Sequence, residues 1–251
     1  MAATLALIRR ELSTYFSSFT GYITISLVLF LVGLSFTDLL LRLNQGEPTD
    51  VPVTEMFYQS WYFWLILLLA SPVVTMRTFA AEKALGTFET LVTAPISDLQ
   101  LVLAKFFSSL VFHLVLWLPL ILCVGVVRHF ANDRSSFDVG MVASTYLGVL
   151  LLGCLYMSIG CFASSLTRSQ IVASMISFAL GMAMFLLGFK TAYAPQKTDR
   201  MDGFFSHISM VEHMQDFVRG VVDSRQVFFY LSVTVFFLFL THKVVESRRW
   251  R

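Results

Sequence analysis

The chain has 251 residues, of which 57% are hydrophobic and only 14% charged, with a formal net charge of +2; its mean hydropathy is +0.74. Ordinary soluble domains carry about 45–50% apolar and about 25% charged residues, so these charges are too few for a water-facing surface and point to a membrane protein. The near-neutral balance argues against a nucleic-acid partner. Cys123, Cys154 and Cys161 lie in apolar stretches without metal-ligand spacing, which argues against a disulfide framework or a zinc site.

Residues 1–20 carry Leu5, Ile8, Leu12, Tyr15 or Phe16, and Phe19 on one helical face, opposite Arg9, Arg10, Ser13 and Ser17. That pattern predicts an interfacial helix lying on the membrane, and no cleaved leader is expected. Crossing about 30 Å of hydrocarbon takes about 20 helical residues. Six apolar runs approach this length: 22–41, 58–76, 106–127, 139–162, 171–189 and 227–245. The last is strictly apolar only as far as Leu240 and reaches span length if Lys243 snorkels to the interface.

Three connecting segments are informative. In residues 77–105, Leu85, Phe88 and Leu91 or Val92 form an apolar stripe, Glu82, Lys83 and Glu89 are polar, and Pro95 ends the pattern. This segment reads as a short amphipathic surface helix or as a plain connecting loop. Residues 164–170 form a polar turn short enough to impose an antiparallel helix hairpin. In residues 190–226, Ile208, Val211, Met214, Val218 and Val221 or Val222 recur at helical spacing, Ser209 and Glu212 have capping-box spacing, and Gly220 is placed to stop the helix. Thirteen residues from His207 to Arg219 make roughly 20 Å of helix, half a bilayer; they fit a re-entrant helix or one resting on the outer surface.

Asp38 and His113 are ionisable groups inside apolar runs, which hints at a polar path or a buried partner. His207, Glu212, His213 and Asp216 do not have metal-site spacing, since histidines six apart do not share a helix face. No nucleophile elbow or phosphate-binding G-x-x-x-x-G-K-[ST] occurs, so any nucleotide that drives this protein binds another chain. With both termini inside, the inner segments hold ten Lys or Arg and the outer ones eight, and the terminal basic clusters favour that orientation.

Several motifs together resemble the membrane-spanning subunits of ABC-2 type ATP-binding cassette transporters, and among them the permeases associated with bacterial gliding motility. The first is Arg9-Arg10-Glu11-Leu12-x-x-Tyr15-Phe16, followed by Ser18-Phe19 where the family usually has Ser-Pro. The sharpest is Arg77-x-Phe79-Ala80-x-Glu82-Lys83-x-x-Gly86-Thr87-x-Glu89-x-Leu91-x-Thr93-x-Pro95-Ile96-Ser97, then Lys105-Phe106. Gly160, Ala163-Ser164-Ser165-Leu166-Thr167, Gln170-x-Val172-Ala173 and Phe217-x-Arg219-Gly220-Val221-Val222-Asp223 also match.

The resemblance implies an all-α integral membrane protein: a single domain over 1–251 with six spans, an N-terminal interfacial helix, a coupling helix within 77–95 and a re-entrant helix before the last span. It implies a noncatalytic permease subunit of the bacterial cytoplasmic membrane with both termini in the cytoplasm. Glu82, Lys83, Gly86, Thr87, Glu89 and Leu91 would then couple to a separate ATPase subunit, which holds the ATP and Mg, while this chain binds no cofactor or metal. Phe217, Arg219 and Gly220 would belong to the re-entrant segment. The implied partners are that ATPase, a second permease subunit in a homodimer or heterodimer, an extracytoplasmic accessory protein and membrane lipids. A second reading of the same architecture is a membrane anchor for an ATPase-driven motility or secretion complex that transports no solute.

Overall fold

The computed structural model describes residues 2–44, 53–88, 96–130, 139–193 and 207–249. Among them are ten helices and no strand: α1 (Ala2–Ser17), α2 (Phe19–Asn44), α3 (Val53–Gln59), α4 (Trp61–Thr75), α5 (Ala80–Leu85), α6 (Asp98–Phe130), α7 (Val139–Leu166), α8 (Gln170–Tyr193), α9 (Met210–Val218) and α10 (Ser224–Arg249). Six helical stretches are long and apolar enough to cross a membrane: Phe19–Asn44, Trp61–Leu85, Asp98–Val127, Gly140–Leu166, Gln170–Gly188 and Ser224–Ser247. The expected class, an all-α protein with six membrane-length helices, is the observed one.

Two helices form the centre. The span on α7 is 78% buried and the one beginning with α4 is 72% buried, against 17% for that on α10. α7 packs against α4, α6, α8, α9 and α10, and small residues let it do so. A Cβ at Gly160 would collide with the Thr75 side chain of α4, and one at Gly153 would lie 2.7 Å from the His113 ring of α6. Between apolar helices in lipid, close backbone approach is a main source of association. The buried core of Trp117, Phe63, Ile66, Leu152 and Leu155 fills the same layer.

α6 begins eight residues before the strictly apolar run. Ser97 and Gln100 explain this: the Gln100 amide N–H donates to Ser97 Oγ (3.3 Å) and the Ser97 N–H donates to Gln100 Oε1 (3.2 Å), a reciprocal capping box. The 33 residues of α6 therefore make a rod of about 50 Å. α5 is shorter than the predicted amphipathic helix. Gly86, at φ 74°, closes it in the left-handed region, which glycine adopts without steric cost.

Candidate functional site

Charged clusters occupy both ends of the bundle. Ser144 and Ser164 of α7 contact one cluster region each, and 20 residues of helix set them about 30 Å apart.

At the Ser164 end, Lys105 is the hub. It is 1% exposed, and its Nζ lies 3.3 Å from Glu11 Oε1 of α1 and 2.9 Å from Glu82 Oε2 of α5. The Glu82 contact lies outside hydrogen-bond geometry, so it is an ion pair without an aligned hydrogen bond. Arg10 reaches the other Glu82 oxygen at 3.2 Å, and the Phe79 ring lies 5.4 Å from Lys105 Nζ. Two carboxylates and two cations thus join α1, α5 and α6. Buried charges persist when each has a partner, and removing one strands the rest.

The neighbouring backbone is held just as closely. Ser164 Oγ accepts from the Phe79 and Ala80 N–H groups (3.1 and 3.0 Å) and donates to Met76 O (3.1 Å), which uses the whole capacity of a hydroxyl. Lys83 is buried, donates to Ser165 O and lies over the Phe88 ring. α1 packs along α6 through the stacked Tyr15 and Phe112 rings, 4.9 Å apart, and Tyr15 Oη donates to Val74 O of α4 (3.2 Å).

The predicted coupling residues therefore separate into two groups. Glu82 and Lys83 turn inward, each onto a different wall. Gly86 and Thr87 are exposed, and with them Leu85 at 78% exposure. The apolar stripe is split by the Gly86 turn: Leu85 points out and Phe88 points in. Glu89 and Leu91 lie outside the described residues. Ser164 and Ser165 were not anticipated as site residues, because a serine turn between spans looks like any polar hairpin until its partners are known. Lys105 stands out in the sequence only within the family motif; the Ser97-x-x-Gln100 capping spacing is the signal that could have placed it inside a helix.

At the other end, α9 begins at Ser209, whose hydroxyl accepts from the Glu212 N–H, and stops at Gly220, φ 85°. The Arg219 guanidinium grips Glu55 of α3, with Nη2–Oε1 at 2.7 Å and Nε within 3.2 Å of both carboxylate oxygens. Hydrogen bonding to Glu55 and its charge raise the Arg219 pKa further above its ordinary value. Phe217 is buried against α7, where a Cβ on Gly148 would stand 2.9 Å from its ring, and Ser144 Oγ donates to its carbonyl (2.6 Å). His213 faces Tyr230 of α10 (3.3 Å), and burial pushes its pKa down to about 4.

The family model described as ABC-2 family transporter protein matches residues 49–211, more than half of the chain. The chain belongs to the ABC-2 transporter family. A search of the curated proteins finds no match. The family is one of noncatalytic membrane subunits of ABC transporters, which places this ABC-2 protein among multi-pass membrane proteins. The matched stretch takes in Glu55, the α5 tip, Lys105 and Ser164, whereas Glu11 and Arg219 lie outside it.

The remaining singled-out residues of this ABC-2 protein have local roles. Asp38 pairs with Arg42 one turn on (3.3 Å). His113 is fully buried, and its Nε2 accepts from Trp117 Nε1 (3.1 Å), which fixes the proton of the neutral ring on Nδ1. His207, Glu212, His213 and Asp216 line one open cavity of about 520 Å³ together with Arg225 and Gln226. Among the described residues no three His, Cys, Asp or Glu side chains converge as a metal site would require.

Proposed function

We propose that the chain is the permease subunit of an ATP-driven exporter, with α5 and the residues after it as the docking element for a separate ABC ATPase that holds ATP and Mg. The supporting observation is the division of labour at α5. Leu85, Gly86 and Thr87 are exposed at its tip, while Glu82, Lys83 and the Phe79–Ala80 backbone anchor its base to α1, α6 and α7. Among the described residues the base of α5 is tied directly to α1, α6 and α7, so a push on the tip would reach three walls as rigid-body displacement. Glu89 and Leu91, which lie outside the described residues, are assigned the same docking role on the sequence resemblance alone.

On this reading the Lys105 end faces the cytoplasm, both termini are cytoplasmic, and the membrane is the bacterial inner membrane. α1 lies in the interface: Ile8, Leu12 and Tyr15 face the bundle, while Leu5, Phe16 and Phe19 are exposed apolar residues for lipid. α9 is the re-entrant helix, with Phe217, Arg219 and Gly220 fixing its inner and outer contacts. A second permease subunit would complete the path, and α2, α8 and α10, whose spans are 28%, 22% and 17% buried, leave faces for it and for lipid. The gliding-motility likeness rests on the sequence motifs and assigns a setting without naming a solute.

The test is co-purification from native membranes. The wild-type chain is expected to bring down ATPase activity that solute modulates. Leu85→Asp, at an exposed position, should lose the ATPase subunit while the chain stays folded; retained association would overturn the assignment of the docking tip. Full ATPase association with no flux or solute response across a broad panel would favour the anchor.

A further inference from the structure

We propose that the turn between α7 and α8 is a second contact for the ATPase that docks at the α5 tip, with Arg168 paired to a carboxylate on that partner. This rests on the permease reading and extends its docking surface to a second element.

The turn is braced by its own sequence. The Ser169 N–H donates to Thr167 Oγ1 (3.1 Å), which closes a hydroxyl turn around Arg168. Ser169 then stands at the N-cap of α8, its carbonyl accepting from the Ala173 N–H (3.0 Å) and its Oγ 3.5 Å from the Val172 nitrogen. Behind the turn, Ser164 and Ser165 are buried. Arg168 sits at the apex of this loop and is exposed. A binding residue on backbone that is already ordered loses less entropy when a partner arrives.

Charge sets the chemistry of the partner. The other cations that hold the base of α5 are engaged within the chain: Arg10 and Lys105 pair with Glu82, and Lys83 donates to Ser165 O. Arg168 makes no ion pair or hydrogen bond with any of the described residues. A free guanidinium presents a planar fork of donors that matches a carboxylate. A lipid phosphate offers similar oxygens, but attraction to an anionic membrane surface is built from clusters of basic residues. Arg168 is the single Lys or Arg in residues 139–189, so a protein carboxylate is the better match.

Position selects which protein. Ser164 Oγ accepts from the Phe79 and Ala80 N–H groups, and Lys83 donates to Ser165 O, so the base of α5 and the start of the turn form one body. Arg168 lies three residues beyond Ser165, at most about 11 Å of chain, and Leu85 lies two residues beyond Lys83. An interface of ordinary size, about 800 Å² on each side, is about 30 Å across and takes in both. A single contact at Leu85 would let the ATPase swivel. A second contact at the end of α7 fixes its orientation and delivers force directly to the most buried span of the bundle.

The test uses the full chain with its ATPase in native membranes and a photocrosslinking side chain at position 85 or 168. Crosslinks from both positions to the chain that azido-ATP labels are expected. A crosslink from 85 alone, or one from 168 to lipid only, overturns the proposal and leaves the permease reading standing; crosslinks from neither position overturn both. Titration of the purified ATPase onto the chain in nanodiscs supplies the second measurement. Arg168→Glu should weaken binding by about tenfold or more with thermal unfolding unchanged, and Arg168→Lys, which keeps the charge, should lose less. Wild-type affinity in folded Arg168→Glu overturns the proposal.

Discussion

The two ion-pair sites invert one another. At Lys105 the cation is 1% exposed and the acids, Glu11 and Glu82, are 13% and 14% exposed. At Glu55 the acid is 3% exposed and the cation, Arg219, is 58% exposed. The first binds three helices through one central charge, so losing the centre leaves Glu11 and Glu82 with only the exposed Arg10 between them. The second binds two helices through an arginine that reaches in from solvent. A hub and a strap are different devices: the hub ties three helices to one buried charge, and the strap ties the end of α9 to α3 through a mostly exposed one.

Substitutions should expose that difference. Lys105→Met should have the largest effect, destabilising the chain by about 3–5 kcal/mol because two acids lose their buried partner. Thermal unfolding in nanodiscs measures it, and adding Glu11→Gln and Glu82→Gln should recover a substantial part. Lack of any recovery would mean that packing of the lysine stem, and not charge, holds the cluster. Arg219→Ala should cost less, about 1–3 kcal/mol, since the guanidinium is mostly in solvent; Glu55→Gln in the same background should restore stability. An Arg219→Ala effect as large as that of Lys105→Met would erase the contrast.

Ser164→Ala should leave global unfolding within about 1–3 kcal/mol of wild type but speed hydrogen exchange at the Phe79 and Ala80 amides, which lose their acceptor. Unchanged exchange there would show that α5 is anchored by its ion pairs alone. The smallest effect should come with pH at His213. Its folded pKa of about 4 lies below the ordinary value of about 6.5, so the neutral ring favours the folded state above pH 6.5 and that contribution is lost as pH falls toward 4. Amide protection of α9 should decline over this window more in wild type than in His213→Gln.

The six helices were legible because bilayer thickness fixes a length and lipid permits only apolar surface. Their ends were not, because polar residues continue a helix once it leaves the hydrocarbon: Ser97-x-x-Gln100 carries α6 outward to Asp98. Gly220 was legible as a stop because its signal is local. The inward turn of Glu82 and Lys83 was not, since the cationic partner of Glu82 is 23 residues away on α6 and the carbonyl that accepts from Lys83 is 82 residues away at Ser165. Periodicity describes a helix face but not what lies against it. Glu55 escaped notice for the same reason, as its partner is 164 positions distant.

The capping box at Ser97 also sets a lever arm. From Asp98 to the residue before Pro119, α6 is 21 residues of helix without a break in its hydrogen-bond ladder, about 30 Å long. A tilt of about 5° at the Lys105 end moves the far end by about 2.7 Å at that length, nearly the width of a water molecule. Pro119, which cannot donate to the ladder, is where that sweep can be taken up as a bend.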